Sequence, residues 1–188
     1  MIHARPFRGQ TKIIPRTPSL SKYDIFAKII SMIRICSEND AERLYYIINE
    51  AAKAYRNNIP ADCYHEPYMS REELAREMRD MTFFAWGEKG ELVAVMGFQP
   101  IKDVTLIRHA YVLPQWQGKG IGVKLMENMK RLCNTPRLLV GTWADATWAI
   151  SFYVKCGFQP APDKDDLLRT YWKIPERQIE TSVVLELK

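Results

Sequence analysis

Three glycines spaced two apart, Gly118-Lys119-Gly120-Ile121-Gly122, stand between an apolar, β-rich run from Val104 to Val112 and a segment whose Leu125, Met126, Met129 and Leu132 share one helical face. The run Arg137 to Trp143 follows as a further strand, so strand, glycine loop, helix and strand form a βαβ crossover. Such glycines leave successive backbone N–H groups uncovered, and the helix start adds partial positive charge, which together suit an anion. Taken alone, they also suit a tight turn with nothing bound. A Walker A loop needs Gly-Lys followed by Ser or Thr, and Lys119 is followed by Gly120, so a P-loop is excluded. A dinucleotide fingerprint needs its third glycine three residues after the second, whereas Gly122 comes two after Gly120.

Upstream, Ile33-Arg34-Ile35 reads as a short strand, and Ser37 to Asp40 offers capping side chains to a helix carrying Ala41, Leu44, Tyr45, Ile48, Ala51 and Ala52. A polar, aromatic loop, Asn57 to Met69, leads to the capping box Ser70-Arg71-Glu72-Glu73 and a second helix through about Met78. Thr82 to Trp86 and Leu92 to Phe98 flank the hairpin turn Gly87-Glu88-Lys89-Gly90, so with Val104 to Val112 three antiparallel strands in series are predicted. A further helix, Thr147 to Cys156, ends at Gly157, and the tail Asp165 to Leu187 reads as two strands around Pro175. The order βααβββαβαββ is neither a sandwich nor a uniform doubly wound fold.

At 188 residues, 47% hydrophobic and 26% charged, the chain suits one soluble domain rather than disorder or a membrane bundle. It has no apolar run of about 18 residues and no secretory core, so no membrane partner is expected. Cys36, Cys63, Cys133 and Cys156 are scattered without a zinc-like spacing, which predicts no metal and a reduced, cytoplasmic setting. The +5 net charge is localised. Arg5, Arg8, Lys12, Arg16, Lys22 and Lys28 face the lone Asp24 before Met32, and the remainder holds 21 basic and 21 acidic residues. Residues 1–32 therefore read as a basic, non-essential extension and 33–188 as the working domain. A neutral body without an aromatic-basic stripe argues against a nucleic-acid partner.

Gln117-Gly118-Lys119-Gly120-Ile121-Gly122 resembles the Gln/Arg-x-x-Gly-x-Gly/Ala signature of the GNAT superfamily of N-acetyltransferases. Ala149-Ile150-Ser151-Phe152-Tyr153-Val154-Lys155-Cys156-Gly157-Phe158 is similar to that superfamily's second signature, A-x-x-F-Y-x-x-x-G-F, and Ala110 to Pro114 to its proline-ended strand. The resemblance covers about Ile33 to Lys188 and is strongest from Leu106 to Phe158. It implies an α+β, three-layer fold: a mixed, mostly antiparallel sheet of about seven strands, splayed open at the coenzyme site and flanked by about four helices. Acetyl-CoA would be the cosubstrate, with no metal.

The resemblance further implies that the backbone of Tyr111 and Val112 bonds the pantetheine arm, that Gln117, Gly118, Lys119, Gly120, Ile121 and Gly122 grip the diphosphate, and that Ala149 and Phe152 line the coenzyme. Lys119 and Lys124 are candidates for phosphate charge or simple solvated surface. Tyr153 would protonate the departing thiolate, the alternative being a packed cleft aromatic. An Asn common three residues before Ala149 is here Ala146, with Asp145 and Thr147 as neighbours that could compensate.

Three residues are candidates for the acceptor side of the site, two of them as the catalytic base. His109 can accept a proton directly or through water, and Glu66 lies in a segment that walls the acceptor pocket in similar proteins, with Tyr64 beside it as a substrate contact. Arg108 cannot be a base, but in the cleft it would favour an acidic acceptor; strand alternation and the family's bulge leave open whether Arg108 or His109 faces the acceptor. Arg177, Gln178 and Glu180 are further candidates to reach the pocket. The expected activity is acetyl transfer to a primary amine of a small molecule or amino acid by direct attack in a ternary complex. A coenzyme-A-binding regulator without turnover and an enzyme acting on a protein amine stand as alternatives, and a homodimer is an open assembly.

Overall fold

The computed structural model describes residues 32–188, so the boundary at 32 and the basic extension lie outside the described residues apart from Met32 itself. β1 (Ile33–Ile35) pairs antiparallel with β2 (Thr82–Glu88), which forms a hairpin with β3 (Glu91–Ile101). Lys89 and Gly90 turn that hairpin at positive φ, the twist-matched geometry that the Gly-rich composition anticipated. β4 (Val104–Val112) returns beside β3. Its neighbour β5 (Arg137–Trp143) runs parallel to it, because helix α3 (Ile121–Leu132) carries the chain back across the sheet. β7 (Ser182–Leu187) then pairs with β5 and with the short β6 (Gln159–Pro160), giving seven strands in the order β1-β2-β3-β4-β5-β7-β6.

Leu92 to Phe98 are all buried, so both faces of β3 are covered, and helices α1 (Ala41–Ala52) and α3 both pack on it. Helix α2 (Arg71–Asp80), capped by Ser70 Oγ accepting from the Glu73 N–H, lies against α1 and β2. α4 (Thr147–Lys155) closes the main core through Tyr153, beside Cys156 and Phe158. Burying Leu125, Met126 and Met129 from α3 contributes about 1.5–3 kcal/mol each, and this apolar stripe holds the loop at the helix's start against the sheet.

The tail differs from the expectation of two strands. Asp165 to Tyr171 belongs to helix α5 (Lys164–Tyr171) and Glu176 to Glu180 forms helix α6, so only Ser182 to Leu187 is a strand. Leu167 and Leu168 pack with Leu106, Leu139 and Val184 on one face of the sheet, whose opposite-pointing neighbours Ile107, Val140 and Leu185 join the main core. A helix serves there because two adjacent leucines can both face a flat sheet from one helical turn, whereas in a strand they would point apart. These two elements raise the helix count between residues 41 and 180 to six, against the four expected.

Candidate active site

Parallel pairing of β4 and β5 runs from Val104↔Arg137 to Ile107↔Val140 and stops. Beyond it Arg108, Tyr111 and Val112 stay paired to β3, while Gly141 to Trp143 follow β7. The two strands diverge into an open V with two chambers. One, of about 920 Å³, is bordered by the glycine loop and α4; the other, of about 440 Å³, lies toward α2 and the tail. Tyr55, Ala110, Tyr111 and Tyr153 line both and so mark where the chambers meet.

In the larger chamber, Gly118 and Gly120 sit at φ +72° and +74°, with open space wherever a Cβ would project. The first helical bond of α3 runs from the Lys124 N–H to the Gly120 carbonyl (3.1 Å), so the N–H groups of the preceding turn have no partner within the helix. That bare, glycine-lined helix start fits a diphosphate. The Gln117 side chain donates to the Val112 carbonyl (3.0 Å), tying the loop to the end of β4. Ile121 is buried, and Gly122 approaches the Phe152 ring. Lys119 Nζ lies 4.2 Å from the Trp116 ring centre and Lys124 Nζ 5.0 Å from that of Trp86, so each cation rests on an indole at the loop's margin. Val112, Ala149 and Phe152 line this chamber. Ala146 is fully buried in an apolar cluster with Ile59 and Trp143, while Asp145 and Thr147 are exposed.

The smaller chamber is organised by a bulge. Between Val95 and Gly97 the register of β3 against β4 shifts, and His109 takes a positive φ of +49°. A Cβ on Gly97 would stand 2.9 Å from the Arg108 carbonyl oxygen and 2.6 Å from Met81 Sδ, so only glycine lets the bulged strand approach this closely. The bulge suspends alternation, and both Arg108 and His109 line the chamber.

Glu77, from α2, meets both. Its Oε1 accepts from Arg108 Nη2 (2.9 Å), and its Oε2 lies 2.8 Å from Arg108 Nη1 and 3.3 Å from His109 Nε2. The last contact is close but poorly aligned, and neither Oε2 nor Nε2 has a well-formed hydrogen bond or reaches solvent. Burial pushes the Glu77 carboxyl up, but His109 and Arg108 together outweigh it and hold it below the ordinary range. Arg108 thus lines the chamber as the partner of a carboxylate rather than as an unpaired cation.

Burial raises the phenols of Tyr55, Tyr68, Tyr111 and Tyr153, so all four stay protonated at neutral pH. Tyr68 Oη accepts from Trp143 Nε1 (2.8 Å). Glu66 stands apart from this cluster: exposed, ion-paired with Arg56 and accepting from Tyr64 Oη (2.7 Å), it borders neither chamber, nor does Tyr64. The structure therefore holds the Glu66 carboxylate on Arg56 and away from both chambers, against the expected place in the pocket wall. Arg177 and Gln178 do border the smaller chamber, and Arg177 Nε donates to Asp62 Oδ2 (2.8 Å), joining the tail to the 57–69 loop; Glu180 lies on the outside of Arg177 at 3.4 Å.

Glu77, Tyr55, Tyr68 and Trp172 escape a reading by motif. Glu77 carries one available signal: it falls one turn after Leu74, on the face of α2 that is turned inward. Among the described residues no cluster of three His, Cys, Asp or Glu could hold a metal ion, and no helix is long and apolar enough to cross a membrane.

Solved structures repeat this architecture. The PaiA N-acetyltransferase from Thermoplasma acidophilum, determined with coenzyme A, is 20% identical over 83% of this chain and 97% of its own, at a TM-score of 0.60. A Bacillus subtilis acetyltransferase in complex with CoA is 24% identical over 83% and 97%, at 0.58. The ribosomal-protein-S18-alanine N-acetyltransferase from Escherichia coli is 17% identical over 82% and 91%, at 0.57. No curated protein sequence matches the chain. The family model described as "Acetyltransferase (GNAT) family" matches residues 41–158, from the first helix through both signatures, and by that match the chain belongs to the GNAT acetyltransferase family.

Proposed function

We propose that this protein transfers the acetyl group of acetyl-CoA to a primary amine of a small molecule or amino acid, by direct attack while both substrates are bound. One observation carries the reading: a chamber bordered by a bare helix start meets, at Tyr111 and Tyr153, a second chamber that holds His109. A volume of about 440 Å³ falls at the low end of small-molecule pockets, and the paired Arg177 and Asp62 stand at its border, which favours a small acceptor over a protein amine.

Acetyl-CoA supplies an activated acyl thioester, gripped through the loop N–H groups. The backbone of Tyr111 and Val112 along the opened edge of β4 orients the arm beside Ala149 and Phe152. His109 takes the proton of the attacking amine, directly or through one water, as the new N–C bond forms. Tyr153 gives its proton to the sulfur as the C–S bond breaks; burial keeps that phenol loaded. The free thiols of all four cysteines support a reducing, cytoplasmic setting.

The test is thiol release from acetyl-CoA against a panel of amino acids, aliphatic diamines and aromatic amines. Turnover with a small amine and a thermal shift with acetyl-CoA are expected. The buried, apolar Ala146 favours a second reading, coenzyme binding without turnover, and a thermal shift with no acceptor in the panel would decide for it.

A further inference from the structure

We infer that Glu77 is a positioning residue for the acceptor chamber: its carboxylate clamps the Arg108 guanidinium and orients the His109 ring with Nε2–H toward Oε2, so that Nδ1 carries the ring's free lone pair. This rests on the reading of His109 as the group that takes the amine proton. The contact itself is 3.3 Å between two atoms shielded from solvent, neither of which has another well-formed hydrogen bond. An imidazole nitrogen facing a carboxylate oxygen in the absence of water is stabilised only if it carries the hydrogen.

The surroundings agree. His109 sits at the left-handed bulge position, where the strand alone does not fix the ring's direction, and Phe83 stacks on one face at 5.8 Å between centres. Glu77 is delivered by α2, whose Leu74 is buried, so the carboxylate is set by a packed helix rather than a loop. Of the other charged groups bordering the chamber, Asp62 is taken by Arg177, while Glu73 lies one turn back on α2 and Lys173 on the tail; Arg108 is the cation held against Glu77. Glu77 is itself a poor base. It is ion-paired, and its carboxyl is held below the ordinary range.

The experiment compares wild type, Glu77→Gln, Glu77→Asp, His109→Gln and the double variant Glu77→Gln/His109→Gln, using acetyl-CoA and the fastest amine of the panel. It also records the ¹⁵N shifts of the His109 ring with acetyl-CoA alone. In the glutamine variant Arg108 retains the amide oxygen, which turns the NH₂ toward the ring and forces Nε2 to accept.

Wild type should show the Nε2–H tautomer, and Glu77→Gln should lose it. Turnover of that variant should fall by about 10- to 100-fold, with the acetyl-CoA Kd within about twofold of wild type. Glu77→Asp should restore part of the rate, and the double variant should be no slower than His109→Gln. An Nδ1–H tautomer in wild type, an unchanged tautomer in Glu77→Gln, or losses that multiply in the double variant would overturn the inference. Undiminished turnover in His109→Gln would instead overturn the base reading, leaving the tautomer spectra to decide the role of Glu77. If Glu77→Gln does not fold, the wild-type and Glu77→Asp spectra decide it.

Discussion

A Cβ built on Gly122 would stand 3.2 Å from Cε2 of Phe152, so α3 and α4 approach one another through the space that a side chain would fill. The contact couples the glycine loop to the helix bearing Tyr153, since Phe152 borders the larger chamber and Tyr153 is its neighbour. Valine at this position must displace the ring toward the chamber or push the helices apart, at a cost of about 1–3 kcal/mol. Gly122→Val should therefore weaken acetyl-CoA binding by about tenfold or more, as titration calorimetry would read it. An unchanged dissociation constant would mean that Phe152 yields away from the chamber.

Tyr153→Phe should lower turnover by about 10²- to 10⁴-fold while the acetyl-CoA Kd stays nearly constant. Ring contacts to Phe152 (5.2 Å) and Phe158 (6.0 Å) survive the change, so a loss of rate reports the hydroxyl rather than packing. Undiminished turnover would assign the proton to water and leave Tyr153 as a packing aromatic.

Asp40 accepts from Arg34 Nη2 (2.6 Å) and Nη1 (2.9 Å), the Ser37 N–H (2.8 Å) and Ser37 Oγ (3.2 Å), tying edge strand β1 to the turn before α1. These donors, Arg34 above all, hold the carboxyl well below the usual carboxylate range against a smaller opposing effect of burial. A depressed folded-state value stabilises the fold above the unfolded-state value, near 3.9, and the contribution is lost as pH falls below it. Because Arg34 is half exposed, Asp40→Asn should cost only about 1 kcal/mol at pH 7 in denaturant titrations. The gap to wild type should narrow below about pH 4.

A chain beginning at Met32 should fold and turn over like the full-length protein. β1 starts at Ile33 and pairs with β2 from its first residue, so the seven strands of the described residues all lie after Met32. Equal melting temperature and acetyl-CoA affinity are the expected outcome; aggregation or lost activity in the shorter chain would place the domain boundary further upstream.

The elements with a local cause were legible in the residues. Gly118 and Gly120 specify a bare loop because glycine alone opens left-handed backbone without a side chain, and the apolar spacing of Leu125, Met126 and Met129 specifies the face that α3 buries. Lys89-Gly90 specifies a hairpin turn for the same backbone reason. Long-range elements were not legible. Leu167 and Leu168 suit a strand or a short helix equally, and the sheet face carrying Leu106, Leu139 and Val184 selects the helix. Whether Arg108 or His109 faces the chamber depends on the bulge opposite Gly97, and its answer is both. Glu66 looked suited to the pocket by its place in the chain, yet Arg56 holds it outside, while Glu77 reaches inward from a helix whose partner strand no local pattern names. The sequence by itself determined where backbone N–H groups lie bare at a helix start, since backbone exposure is a property of neighbouring residues. Tertiary structure decided which side chains meet in the chambers, because a carboxylate acquires its partners only when a helix, a bulged strand and a tail arrive at one place.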